Sequence, residues 1–264
     1  MPFFHAASFF SPAKSFLVQF SVMATDSPSS RPRRPAAGLS FDPVAQPWEA
    51  ASQGLSPVDP RLLTPESLRR VLTAPPSWTP EPPFEADLRY AGREGPPVEA
   101  AVLIPLVAYP DGVRVMLTQR AAHLHDHAGQ ISFPGGRIET WDASPVAAAL
   151  REAQEETGLG GDFIEVLGSL PPYHTTTGFT VTPVTGLVRP GFTLAPDAFE
   201  VAEVFEVPLA FLADPANHRL HRALLPDGRA RHFYSMPWHD RFIWGATAAM
   251  LRNFYHLLRS ANPG

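Results

Sequence analysis

The chain has 264 residues, of which 44% are apolar and 18% charged, enough for one sizeable core plus a tail. A formal net charge of -5 excludes a broad nucleic-acid surface, which would carry a basic excess. The absence of cysteine excludes disulfides, thiolate metal sites and cysteine nucleophiles.

The opening stretch, MPFFHAASFFSPAKSFLVQFSVM, is apolar with Lys14 as its only strong base. It is too interrupted for a membrane span, which needs about 20 predominantly apolar residues. It also lacks the basic n-region and clean apolar run of a secretory signal. Ordinary polar sequence begins at Met23, the expected true start; a mitochondrial presequence is the alternative. The expected location is therefore the cytoplasm, or the mitochondrion if the first segment is retained. The basic run RPRR at residues 31–34 sits among Ser and Pro and reads as solvated tail. Composition predicts a poorly ordered tail over residues 1–60.

Residues 61–98 are expected to hold a short helix and a linker. Thr64 serves as cap, Pro65 takes the first helical position, and Leu68 and Val71 turn inward. APPSWTPEPPFE follows, with too many prolines for helix or strand. The main domain is expected over residues 99–260. AAVLIPLVAY and VRVMLTQR flank a turn at Pro110, Asp111 and Gly112, a hairpin pattern. Further strand-like runs cover residues 163–170, 179–188, 201–207 and 231–236, with helices at 144–157 and about 243–258. The pattern is α+β.

Within it, FPGGRIETWDASPVAAALREAQEETGL, residues 133–159, places Asp142, Glu152, Glu155 and Glu156 behind a paired glycine. Ser144 suits the N-cap, Pro145 the first position and Gly158 the C-cap. Glu152, Glu155 and Glu156 then fall at i, i+3 and i+4, within an arc of about 100°. Val146, Ala149, Leu150 and Ala153 form an opposing apolar face. Like charges so spaced repel by a few tenths of a kcal/mol per pair, roughly, so the cluster calls for a counter-charge. An acidic run alone usually is a solvated face. The glycines, the Arg151–Glu152 pair and the caps favour instead an edge suited to Mg²⁺ or Mn²⁺.

The stretch GGRIETWDASPVAAALREAQEETGL resembles the Nudix box, closely at REAQEETGL, with Ala153 where a larger aliphatic residue is usual. Upstream it departs. Five residues separate Gly136 from Asp142 as in the usual box, but eight rather than seven separate Asp142 from Arg151, and Asp142 replaces the commoner glutamate. The extra residue resembles the coenzyme A pyrophosphatase branch. So does the preceding LTQRAAHLHDHAGQISFPGG, residues 117–136, except that His125 stands where the branch has arginine. LPPYHTTTGFTVTPVTGLV, EVAEVFEVPL and FIWGATAAML extend the likeness to about residues 100–259.

That resemblance implies a Nudix-type α/β/α sandwich with a mixed β-sheet. It implies metal-dependent hydrolysis of the diphosphate of coenzyme A, and of acyl-CoA, to 4′-phosphopantetheine and adenosine 3′,5′-bisphosphate. Mg²⁺ or Mn²⁺ is the expected cofactor, held by Glu152 and Glu156 with Glu155 beside them. Arg151 is expected to orient the acids. The base is a box glutamate, Glu152 or Glu155, or a distal acid, with Glu200 and Glu203 as candidates and Glu200 also as a metal ligand. Gly135 and Gly136 are expected to approach phosphate. Arg120, His123 and His127, with His125, are the available donors for the 3′-phosphate. A zinc site in HLHDH lacks matching ligands nearby. Asp142 and Glu139 are read as solvated. The apolar residues of the last helix suit core or a homodimer face rather than a ligand site. The expected partner is a small-molecule substrate, with neither nucleic acid nor membrane. Another nucleoside diphosphate derivative, ADP-ribose or NADH, is the alternative substrate; a non-catalytic binding domain is the third reading.

Overall fold

The computed structural model describes residues 41–82, 96–124, 129–226 and 228–263. A short strand β1 (Trp48–Ala50) precedes helix α1 (Pro65–Thr73). The Thr64 hydroxyl caps α1 by accepting the Ser67 N–H at 3.3 Å. Strands β2 (Val98–Tyr109) and β3 (Gly112–Arg120) form the expected hairpin, with Tyr109 opposite Gly112. Gly112 closes it at φ 139°, a conformation that favours glycine. Two short strands follow, β4 (Ile131–Ser132) and β5 (Gly135–Arg137), and then helix α2 (Pro145–Thr157). The chain continues through β6 (Ile164–Ser169), β7 (Tyr173–His174), β8 (Phe179–Val188), β9 (Val201–Pro208) and a single turn, α3 (Leu209–Leu212). Strands β10 (Arg219–Leu224), β11 (Ala230–Trp238) and β12 (Arg241–Trp244) lead into helix α4 (Gly245–Ser260).

The larger sheet runs β4-β3-β2-β8-β6, with β5 on β2, β7 on β8 and β9 on β3. It is mixed: β2 and β8 are parallel from Val98 opposite Phe179 to Val107 opposite Val188, and the other pairs are antiparallel. Alternation along β2 sorts its side chains between two cores. Ala101, Leu103 and Val107 pack with Ala148, Ala149 and Ala153 of α2. Ala100, Ile104 and Leu106 share the other core with Leu68 of α1 and Leu251, Phe254 and Leu258 of α4. Helices thus cover both faces, giving the α/β/α layering and α+β class expected. A second, antiparallel sheet, β1-β10-β11-β12, feeds α4.

Two expectations need correction. Residues 41–60 were expected in a disordered tail, yet those from 41 onward are part of the fold. Phe41 is buried with Ala223 and Phe233, β1 pairs with β10, and Val58 joins the main core. A few apolar anchors and one strand pairing suffice there, although Pro and Ala are the commonest residues of the segment. Across residue 99, α1 shares its core with β2 and α4. The last helix begins at Gly245 rather than Ile243, since residues 241–244 pair with β11 and Gly245, at φ 65°, makes the turn. That helix is core, with Leu251, Phe254, Tyr255 and Leu258 all buried. The Met23 start lies outside the described residues. Among the described residues, no helix is long and apolar enough to cross a membrane.

Candidate active site

The glycine pair brings α2 down onto the sheet. In β5, Gly135 lies opposite Val102 and Gly136 opposite Ala101. A Cβ on Gly135 would fall 2.4 Å from the Ala101 carbonyl oxygen, and one on Gly136 would fall 2.5 Å from Glu152 Cδ. Only residues without side chains let β5 lie so close to β2 at Gly135 and to Glu152 of α2 at Gly136. Both ends of α2 are capped as the sequence indicates. Ser144 Oγ accepts the Ala147 N–H at 3.1 Å, and Gly158 adopts the left-handed conformation at φ 75°.

Arg151 organises one side of this helix. Its Nε and Nη2 donate to the two Asp142 carboxylate oxygens at 3.0 and 2.9 Å, and its Nη1 donates to Glu152 and Glu155, both at 2.9 Å. Nη2 also reaches the Arg137 carbonyl at 3.2 Å. One guanidinium is therefore the counter-charge for three carboxylates, a geometry that its planar fork allows. Asp142 is not solvated as expected: its side chain is 4% exposed beneath Arg151 and also accepts the Glu139 N–H at 2.8 Å.

Glu156 points elsewhere. Its carboxylate is 8% exposed, accepts the Gly135 N–H at 3.1 Å, and lies 3.7 Å from Arg120. Burial pushes its carboxyl up to about 7. The Gly135 bond and Arg120 hold it down, while Glu152 and Glu200 push it further up. Burial also raises Glu152 above the usual carboxylate range, against the pull of Arg151 and with added repulsion from Glu155 and Glu200.

Glu200 reaches these acids through a loop anchored on the end of α2. The Ala195 and Asp197 N–H groups donate to the Thr157 and Glu156 carbonyls at 2.9 and 3.1 Å. Ala121 N–H holds the Glu200 carbonyl at 2.8 Å. Glu203, the other distal candidate, turns away into a two-point pair with Arg241 at 2.5 and 2.7 Å.

Among the described residues, no three acids or histidines converge into a ready-made ion cage. Glu155 is not brought to Glu156; it is 60% exposed and faces Arg151. The acids still suit a hard divalent ion. Glu152, Glu156 and Glu200 repel one another around a buried carboxylate that, unaided, retains its proton to about pH 7. A cation bound by oxygen ligands would relieve that surplus charge.

On the α4 side of the sheet a cavity of about 650 Å³ opens beside β5. Arg120, Gly135 and Gly136 line it. His123 does not; its ring stands edge-on to Phe199 with centroids 5.0 Å apart. His125 and His127 lie outside the described residues. The walls include residues that the sequence did not single out: Arg137, Tyr173, Phe179 and Arg231. Thr247 and Met250 of α4 line it too, so the last helix contributes to the cleft as well as to the core. The quoted HTTTG and FIWGATAAML stretches carried this signal, but no spacing rule joined them.

At the rim, Glu81 accepts from Arg252 at 3.0 Å, from His256 Nε2 at 2.6 Å and from the Tyr234 hydroxyl at 2.9 Å. Burial opposes its ionisation, but the bonds from His256 and Arg252 outweigh that and bring it down to about 2. This cluster pins Glu81 to α4.

Residues 98–227 match the family description NUDIX domain. Proteins of Salmonella newport and Salmonella enteritidis, each named an uncharacterized Nudix hydrolase NudL, are similar to this chain. Each is 45% identical over 155 residues, covering 58% of this chain and 79% of its own. A Nudix hydrolase structure from Nitrosomonas europaea is similar at 17% identity and TM-score 0.42, covering 65% of this chain and 77% of that one. The chain belongs to the Nudix hydrolases, a family acting on nucleoside diphosphate derivatives and generally using divalent metal ions such as Mg²⁺ or Mn²⁺.

Proposed function

We propose that the protein hydrolyses the diphosphate bond of coenzyme A, and of acyl-CoA, giving 4′-phosphopantetheine and adenosine 3′,5′-bisphosphate. The observation that carries the reading is the buried Glu156 carboxylate, held against Gly135 beside Arg120 at the cleft and crowded by Glu152 and Glu200. Those three acids are assigned as holders of Mg²⁺ or Mn²⁺, with Glu155 at the exposed edge. Such an ion neutralises diphosphate charge and acidifies a bound water.

The chain's own groups do the rest. Gly135 and Gly136 leave room for phosphate against bare backbone. Arg120 balances charge at the cleft end of Glu156. Arg151 positions Glu152 and Glu155 rather than touching substrate. Glu152 and Glu200 are the carboxylates available to take the proton of the attacking water.

The coenzyme A assignment is supported by convergence. LTQR, FPGG, HTTTG and FIWGATAAML, the stretches that resemble that branch, supply Arg120, Phe133, Thr175 and Thr247 to one cavity wall. Retention of Arg151, Glu152, Glu155 and Glu156 weighs against a non-catalytic binding domain. The test is turnover of CoA, acetyl-CoA, ADP-ribose and NADH with Mg²⁺ or Mn²⁺, with products identified by mass.

A further inference from the structure

Glu200 stands on a turn built around one residue, Asp197. Residues 189–200 form neither helix nor strand, so the place of Glu200 depends on how this turn is tied down. The Asp197 N–H donates to the carbonyl of Glu156 at 3.1 Å, which ties the turn to the backbone of the buried acid itself. The Asp197 carbonyl accepts the N–H groups of Glu200 and Val201 at 3.0 and 2.8 Å. Its side chain closes the turn from within, with Oδ1 accepting the Phe199 N–H at 2.8 Å. Aspartate suits such a position, because its short carboxylate reaches a backbone N–H two residues on.

The far side of the turn is held by β3 and the residues after it. Ala121 N–H donates to the Glu200 carbonyl at 2.8 Å, and the His123 ring stands edge-on to Phe199. The pairing of β3 with β9 slips by one residue here: Gln119 lies opposite Glu203, but Arg120 lies opposite Val201. A bulge of this kind re-aims the residues beside it and is common next to active sites. The contacts close a ring. Glu156 binds Asp197, Asp197 binds Val201, Val201 lies opposite Arg120, and Arg120 returns to Glu156 at 3.7 Å. Glu200 is carried on that ring, and its charge reaches both Glu152 and Glu156.

We infer that Asp197 is a positioning residue, whose carboxylate shapes the turn that sets Glu200 beside Glu152 and Glu156. Its consequence for function rests on the metal reading above, and it deepens that reading by naming what places the third acid. Asp197 touches neither ion nor substrate; its effect passes through Glu200. The ring of His123 braces the outer side of the same turn, against Phe199.

The test uses the full chain with Asp197→Ala, Asp197→Asn and Glu200→Gln, and with Asp197→Ala and Glu200→Gln combined, in two arms. Urea melts with chelator read the placement of Glu200 without metal. Glu200→Gln relieves repulsion among the acids, so it should raise the midpoint of the otherwise unmodified chain. Most of that gain should vanish when Asp197 is alanine. Mn²⁺ binding followed by electron paramagnetic resonance reads the consequence. Asp197→Ala is expected to weaken it about fivefold, the scale of one hydrogen bond. Asp197→Asn keeps an Oδ1 acceptor and should restore affinity to within about twofold. Where Glu200 is already glutamine, Asp197→Ala should add little. Asp197 is exposed, so its variants should fold. The same midpoint gain in both backgrounds, a loss that Asp197→Asn does not rescue, or a full loss added to that of Glu200→Gln overturns the inference and leaves the metal reading intact. Mn²⁺ binding that ignores both Glu200→Gln and Glu156→Gln sinks the metal reading, and a midpoint gain that depends on Asp197 then leaves the positioning role standing.

Discussion

Glu156 and Gly135 join the acidic helix to the glycine strand: the carboxylate accepts the backbone N–H of Gly135, a residue that lines the cleft, at 3.1 Å. The glycine itself is demanded from the other side, where a Cβ would fall 2.4 Å from the Ala101 carbonyl oxygen. The bond to Gly135 makes Glu156 the most sensitive position of the site.

Glu156→Gln keeps the shape and the Gly135 bond but removes the charge. Metal-assisted charge stabilisation contributes several kcal/mol, at tenfold per ~1.4 kcal/mol, so kcat/KM should fall by about a hundredfold or more. Steady-state kinetics across Mg²⁺ concentrations checks this, and undiminished turnover at limiting Mg²⁺ would contradict the assignment.

The metal-free protein should lose stability as pH rises. The Glu156 carboxyl sits at about 7 in the fold, above its ordinary 4.5, so the folded state binds a proton more tightly than the unfolded state between those values. Stability from that proton is full below pH ~4.5 and is lost as pH climbs through ~7. Glu156→Gln should flatten this slope and raise the melting temperature above pH 7, by on the order of 2 kcal/mol of stability. Denaturant melts with chelator at pH 5, 6, 7 and 8 read it; parallel curves for the two proteins would refute it.

Gly136→Ala places a methyl group 2.5 Å from Glu152 Cδ. Strand or carboxylate must move, at about 1–3 kcal/mol for a crowded site. Activity should drop more than tenfold while circular dichroism remains that of a folded protein. A fully active variant would show that Glu152 can shift without consequence.

Glu81→Gln should destabilise rather than inactivate. Arg252 is 5% exposed and would lose its carboxylate. Breaking such a pair from one side costs about 3 kcal/mol. The measurement is the urea midpoint at pH 7, expected to fall clearly. In the unmodified chain, Glu81's contribution should be present above pH 4.5 and disappear as pH drops toward about 2.

The parts of this fold written locally were legible. Ser144, Pro145 and Gly158 bracket α2 because caps are decided by neighbours within one turn. Strand β8 has the bounds its apolar run indicated. What depends on distant pairing was not legible. Nothing near Trp48 announces that it will pair with His221, and nothing within RLHRAL marks it as an inner strand. The site divides in the same way. Glu152, Glu155 and Glu156 were found together by helical spacing, but only tertiary geometry turns Glu155 toward Arg151 and Glu156 toward Gly135. Glu200 and Glu203 were indistinguishable in sequence, and Arg241 separates them. Only part of the cleft was legible, because its walls come from segments more than a hundred residues apart, Arg120 and Thr247 among them.

The most direct measurement of the central claim is a competition: the full chain with Mg²⁺, equimolar CoA and ADP-ribose, followed by mass spectrometry over time. The account predicts that CoA is consumed first, with 4′-phosphopantetheine and adenosine 3′,5′-bisphosphate appearing in equal amounts. Consumption of ADP-ribose ahead of CoA would contradict it.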